Sequence, residues 1–255
     1  MVGMLDLTGK AVLVTGASSG LGRHFSLALA GAGAEVVVAA RRAEALEKLA
    51  AEIIAAGGKA HVLVMDVTDT ASVQAGVGEA VHLTGGLDGL VNNSGVAESV
   101  PLLDQTEAGW DRVLDTNLKG AWAVATETAR HMVSAGKGGA IVNIASVLGL
   151  RQGGQVAAYA TSKAALVQLT KQMALEWARH GIRVNALAPG YIETDINRDF
   201  FATEAGKAMV RRIPQRRLGQ PQDLDGALML LLSDAAAYIT GAVLAVDGGH
   251  LVSSL

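Results

Sequence analysis

Lys10-Ala-Val-Leu-Val-Thr15-Gly16-Ala-Ser-Ser-Gly20-Leu-Gly22 is the stretch on which the fold turns. A short apolar run, strand-like, breaks into spaced glycines. A helical pattern then resumes from Leu21 to Ala30. A strand that passes through a glycine turn into a helix brings free backbone N–H groups and the positive end of a helix dipole to one point, which suits a phosphate. The glycines allow the tight turn and the close approach of a pyrophosphate. An ordinary glycine-rich turn would look much the same in a chain with 31 glycines. The strand–turn–helix context is what lifts the motif above coincidence.

Outward from this loop, apolar runs alternate with helical patterns to the end of the chain. Further strands are predicted at Glu35–Ala40, Ala60–Met65, Leu87–Asn92, Ala140–Ala145, Ile182–Leu187 and Ala242–Val246. They are almost wholly apolar rather than alternating, as parallel strands covered on both faces should be. Helices are predicted over Arg42–Ala56, Thr106–Ser134, Ala157–Arg179 and Pro221–Leu232, the last with a proline in its first turn. The expected fold is α/β: one doubly wound (Rossmann) domain over residues 1–255, with a seven-stranded parallel sheet and helices on both faces. The least regular stretch, 191–219, reads as a substrate-binding lid or surface loop within that domain.

Composition narrows the function. The formal net charge is −3, with no basic block, so neither a nucleic-acid groove nor a polybasic membrane patch is expected. The absence of cysteine excludes disulfides, thiolate metal sites and a cysteine nucleophile. The six histidines are scattered without ligand spacing, so no metal site is expected. No export signal and no span-length apolar run are evident, and the expected location is cytoplasmic.

Tyr159 and Lys163 lie four residues apart in a predicted helix, hence on one face. A cation beside a phenol favours the phenolate and draws the tyrosine pKa down from its reference near ~10. A tyrosine tuned that way can protonate a carbonyl oxygen or deprotonate an alcohol. Alone the pair is common by chance. It stands, however, among four further motifs: Thr15-Gly-x-x-x-Gly-x-Gly22, Asn92-Asn-Ser-Gly95, Asn117 within Asp115-Thr-Asn-Leu-Lys-Gly, and Pro189-Gly190. Ser146 lies thirteen residues before Tyr159. In this order and spacing, the chain resembles the short-chain dehydrogenase/reductase family over nearly its whole length. Ser94, where the family usually has alanine, is the one visible departure.

The resemblance implies four catalytic residues. Ser146 would donate a hydrogen bond to the substrate oxygen, and Tyr159 would be the general acid or base. Lys163 would tune that tyrosine and hold the nicotinamide ribose, and Asn117 would anchor a water. The cofactor would lie on Gly16, Ser18, Ser19, Gly20, Leu21 and Gly22, on Asp66 and Val67, on Asn93 and Gly95, and on Tyr159 and Lys163. Beyond the sixth strand it would meet Pro189, Gly190, Ile192 and Thr194. Asp66 would accept from the adenine amine, unless it serves the start of the next helix, where Thr68 offers an N-cap.

Cofactor choice follows from the end of the second strand. NAD enzymes commonly place an acid there, on the ribose 2′-hydroxyl. Here Ala40 is followed by Arg41-Arg42, and guanidinium groups clasp a phosphate with paired hydrogen bonds. NADP(H) is therefore expected, with Arg41 the leading contact and Ser18 a second; NAD(H) is the other candidate. The expected activity is hydride transfer between nicotinamide and a small-molecule ketone or secondary alcohol. Reduction of a 3-oxoacyl group on a carrier protein is the alternative, with Lys137, Arg179 and His180 as candidate docking cations. A non-catalytic nucleotide-binding regulator, from another class, would have no need of Tyr159 and Lys163 together. The substrate pocket should be lined by Val147, Gly149, Gln152, Val156 and the 191–213 stretch, with Tyr191, Phe200 and Phe201 its large side chains. The resemblance also implies a homo-oligomer, a tetramer, consistent with apolar helices at 106–134 and 157–179 and an apolar C-terminal run.

Overall fold

The computed structural model describes residues 5–193 and 198–253. Seven strands, β1 (Ala11–Thr15), β2 (Glu35–Ala40), β3 (Lys59–Val64), β4 (Gly89–Asn92), β5 (Gly139–Ile144), β6 (Ile182–Pro189) and β7 (Val243–Val246), form one sheet. Its order is β3-β2-β1-β4-β5-β6-β7 and every pairing is parallel. The chain starts in the middle, winds outward one way to β3, then crosses back to β4. That reversal between β1 and β4 opens the crevice at which such sheets bind ligands.

Nine helices join the strands among the described residues: α1 (Gly20–Gly31), α2 (Ala43–Ala55), α3 (Thr70–Thr84), α4 (Glu107–Leu114), α5 (Ala121–Ala135), α6 (Ala157–Trp177), α7 (Arg198–Ala202), α8 (Glu204–Val210) and α9 (Asp225–Leu232). Two apolar layers cover the two sheet faces. One packs Phe25, Leu29 and Leu46 with α9 residues Leu228 and Leu231 against Val12, Val36 and Val142. The other packs Val73, Val77, Val124, Met132 and Met173 against Leu13, Val37 and Ile141. Strand residues of alternate parity feed opposite layers, which is why the strands read as unbroken apolar runs.

Two expectations need correction. The predicted single helix over Thr106–Ser134 is three pieces, because Asp115–Gly120 between α4 and α5 is wound as a π-helix. Such wide turns shift the helix face by an extra residue and often mark functional sites. The cap of α3 is Asp69, not Thr68: its carboxylate accepts from the N–H groups of Ala71 and Ser72. The 191–219 stretch is more ordered than a loop. It holds α7 and α8, and its two ends are tied by Glu193 N–H to the Gly219 carbonyl at 2.8 Å and by Gly219 N–H to the Tyr191 carbonyl at 2.9 Å.

Candidate active site

A cavity of about 420 Å³ opens at the C-terminal ends of β1, β2, β3 and β4. Its floor is the glycine loop. Gly16 has φ +67°, and a Cβ at Gly22 would collide with the Gly16 carbonyl oxygen, so the loop closes on itself only without that side chain. Ser19 stands at the N-cap of α1 but makes no side-chain cap, and no acid sits in the first turn. The first N–H groups of α1 are thus left for a ligand, and Gly20 opens on empty space. This uncapped end fits the pyrophosphate of a dinucleotide.

Thr15, fully buried, pins the opposite wall. Its hydroxyl accepts the N–H groups of Asn93 and Ser94, both at 3.0 Å, and Asn93 Nδ2 donates to the Thr15 carbonyl at 3.0 Å. Gly16, Ser18, Ser19, Gly20 and Leu21 line the cavity, together with Arg41, Asp66, Val67, Asn93 and Gly95. Two more of its polar lining residues were not among the expected cofactor contacts. Thr116 is one. The other is Arg42, whose guanidinium donates to Ser18 Oγ at 2.9 Å and to Ser19 Oγ at 2.8 Å. Arg41 instead reaches Asp66 at 3.8 Å with a side chain 72% exposed. The Asp66 carboxylate accepts from Thr68 N–H and hydroxyl at 3.0 and 2.8 Å, and that backbone bond holds its pKa below the usual carboxylate value.

The four reactive side chains converge beyond Gly95. A side chain there would meet Asn117 Oδ1 at 3.4 Å and Lys163 Nζ at 3.6 Å. Asn117, carried by the π turn and fully buried, accepts Val96 N–H at 2.8 Å, returns a bond to the Val96 carbonyl at 2.9 Å, and donates to Ser162 Oγ at 3.1 Å. Lys163 Nζ donates to the Ile144 carbonyl at 2.7 Å and lies 5.8 Å from the centre of the Tyr159 ring. Ser146 Oγ accepts Leu148 N–H at 3.1 Å, which leaves its own proton to donate elsewhere. The turn after Ser146 presses on α6 at Gly149, where a Cβ would meet the Lys163 carbonyl carbon at 2.7 Å.

The electrostatics amend the simple expectation for Tyr159. Burial pushes its pKa up, and hydrogen bonding with Ser146 draws it back down; the serine, not Lys163, is the group that lowers it in this geometry. Lys163 bears its own burial cost, its pKa lowered from 10.5 to about 8.

Several expected contacts lie apart from the cavity. Pro189 ends β6 beside Val246, and Gly190 approaches Asp247 so closely that a Cβ would fall 2.7 Å from its Cα. Ile192, expected on the nicotinamide, packs its side chain into the apolar layer against Gly219 and also borders a second cavity with Tyr191 and Asp247. Thr194, the side chain of Phe200 and Leu255 lie outside the described residues.

A family model described as enoyl-(acyl carrier protein) reductase matches residues 16–250. The gluconate 5-dehydrogenase of Gluconobacter oxydans is 40% identical over 251 residues, 98% of each chain. A short-chain type dehydrogenase/reductase from Mycobacterium marinum superposes with a TM-score of 0.92 at 41% identity, over 97% of both chains. The gluconate 5-dehydrogenase of Burkholderia cenocepacia, solved with NADP and tartrate, gives 0.95 at 37% identity over 99% of both. The chain belongs to the short-chain dehydrogenase/reductase family. It is an NAD(P)-dependent oxidoreductase that moves hydride between nicotinamide and a ketone or secondary alcohol.

The buried lysine has a measurable signature. Its folded pKa lies below the 10.5 of free lysine, so between about pH 8 and 10.5 the unfolded chain holds the proton that the folded one has lost. Stability from this group therefore rises with pH across that window. Urea midpoints should show the parent gaining on Lys163→Met between pH 7.5 and 10. A difference independent of pH would mean that the Lys163 pKa is not depressed.

Proposed function

We infer that the enzyme interconverts a secondary alcohol and a ketone in a polyhydroxylated small molecule of the sugar-acid class, with NADP(H) as its preferred cofactor. The observation that carries the reading is the meeting of Ser146, Tyr159 and Lys163 at the end of the glycine-floored cavity. The bound nicotinamide supplies or accepts the hydride. Ser146, its oxygen already bonded to Leu148 N–H, donates to the substrate oxygen. Tyr159 gives that oxygen its proton in reduction and takes it in oxidation, and Lys163 holds the ribose and adds positive charge beside the phenol. Asn117, fixed through Val96 and Ser162, keeps the lysine end of the site in place and anchors a water there. The 191–219 excursion covers the substrate.

Support for NADP(H) comes from the rim. Arg41 and Arg42 both face the cavity, and Ala40 offers no carboxylate to repel a 2′-phosphate. Arg42, already on Ser18 and Ser19, holds the phosphate loop to the β2 edge, while Arg41 is free to swing onto the phosphate. Support for the substrate class comes from the gluconate-oxidising relatives. Acyl-carrier reduction remains the second reading because Arg130, Arg179 and His180 line one open depression, although Glu176 shares it and Glu127 pairs with Arg130 at 2.8 Å.

A panel of sugar acids, polyols, simple ketones and acyl thioesters, followed by nicotinamide absorbance, tests the reading. Turnover confined to acyl thioesters would move the function to the carrier-protein class. With the best substrate, Arg41→Ala should weaken NADPH about ten- to a hundredfold while leaving NADH nearly unchanged, the worth of a charge-assisted hydrogen bond, whereas Arg42→Ala, which also releases Ser18 and Ser19, should weaken both cofactors and NADPH the more. A parent that prefers NADH, with Arg41→Ala affecting the two cofactors equally, would return the assignment to NAD.

The proposed tetramer would cover apolar side chains now in water: Leu103, Trp122 and Val133 on and before α5, Leu175 on α6, and Tyr238 and Val252 near the C-terminal end. Sedimentation at micromolar concentration should give four chains per particle. A stable monomer would contradict this.

A further inference from the structure

Three distant segments meet beside the turn that carries Ser146. Arg151 follows that turn directly, its N–H bonded to the Val147 carbonyl at 2.8 Å. Its Nη1 reaches across to the C-terminal turn, donating to the His250 carbonyl and, at 3.0 Å, to Ser253 Oγ. Among the described residues, no partner takes its remaining guanidinium N–H groups. His250 lies with its ring 5.2 Å from that of Tyr191, just past the end of β6. It is 7% exposed, and its Nδ1 is buried without a hydrogen-bond partner. A buried polar atom left unpaired is costly, and it calls for an explanation such as a ligand group.

The charge around this spot is lopsided. Residues 207–217 carry five of the chain's 21 lysines and arginines and no acid; Lys207 pairs with Glu204 and Arg217 with Asp223, and Arg211, Arg212 and Arg216 have no acid partner among the described residues. Ile213 and Pro214 pack on Gly248 and Gly249, and Gln215 N–H bonds the Gly248 carbonyl at 3.2 Å, which lays this cationic run over the His250 turn. Burial lowers the His250 pKa first, and the nearby Arg151 and Arg212 add to it against Asp247. Asp247 is the nearby acid, and backbone N–H groups already occupy it: Gly249 at 2.8 Å and Leu251 at 2.7 Å. A net positive, partly buried corner one turn from Ser146 is built for an anion.

We propose that Arg151, held in place by the C-terminal turn and flanked by Tyr191 and His250, binds the carboxylate of the substrate and so makes the enzyme select sugar acids over uncharged polyols. The inference rests on the sugar-acid reading above. The planar guanidinium matches a carboxylate with two parallel bonds, the His250 ring offers a neighbouring polar group, and Arg212 contributes attraction from above. Arg151 is then the residue that sets which end of an acyclic substrate points away from Tyr159.

The test compares gluconate with its uncharged counterpart, the hexitol sorbitol, as substrates with NADP+. Arg151→Met should raise KM for gluconate about ten- to a hundredfold. It should leave kcat/KM for the hexitol within about threefold, and Arg151→Lys should recover part of the loss. Ser253→Ala removes one strut while keeping the charge, and should cost gluconate only a few fold. Equal losses of Arg151→Met on both substrates, with a lowered Tm, would show the arginine to be a structural latch only and overturn the proposal. A parent indifferent between acid and hexitol would also overturn it, while leaving the oxidoreductase reading intact. If neither compound is turned over, the sugar-acid reading fails. Calorimetric titration of the enzyme–NADP+ complex with gluconate then decides the subsite separately: binding lost in Arg151→Met supports it, and no binding by the parent overturns it.

Discussion

A lysine ammonium placed almost wholly out of water, 4% exposed, is the constraint around which the rest of this site is arranged. Burial alone would expel the charge, and it pulls the Lys163 pKa to about 8. The surroundings are shaped to keep the group there. The Ile144 carbonyl at the end of β5 accepts one of its protons. Gly95 lies alongside, within contact distance of Asn117 and the amine. Asn117 lies in the π turn between α4 and α5 and is held there by Val96. The parallel sheet is what brings these pieces to one edge, since every strand delivers its C-terminal end to the same side.

The cofactor half and the substrate half of the molecule use one physical device differently. On the cofactor side, the uncapped end of α1 and the guanidinium groups of Arg41 and Arg42 face a cavity floored by bare backbone. Serine hydroxyls hold Arg42 in place, so little conformational entropy is lost when a phosphate arrives. On the substrate side, Arg151 is likewise held before any ligand binds, by a carbonyl and a hydroxyl of the C-terminal turn. In both places a cation is held by neutral oxygens of the protein itself.

Much of this was readable in the chain. All seven strands and their parallel character followed from unbroken apolar runs, with ends displaced by no more than two residues. The glycine loop, Asn93, Gly95, Asn117, Ser146, Tyr159 and Lys163 were placed by motif spacing; the loop, Asn93 and Gly95 line one cavity, and the other four meet next to Gly95. What the sequence hid was direction and distance. Two adjacent arginines look alike in a string of letters; only the turn after β2 sends Arg42 to Ser18 and leaves Arg41 near Asp66. The π turn has no composition of its own, so 106–134 read as one helix. That the Ile192 side chain joins the apolar layer could not be read from its place after Pro189-Gly190, since it depends on the tie between the ends of the excursion. Arg151 was unmarked, since its partners His250 and Ser253 lie about a hundred residues on. The sign of the Tyr159 shift also depended on burial that spacing does not report.

The central claim is that the phenol of Tyr159 moves the proton while its neighbours only hold and tune. Tyr159→Phe keeps the ring and removes that proton alone. The deciding measurement is single-turnover hydride transfer in this variant, beside its dissociation constant for NADP(H). The account predicts turnover reduced by at least about a thousandfold, within the range a general acid contributes, with cofactor affinity unchanged within a few fold. Near-parent hydride transfer in the phenylalanine variant would contradict it.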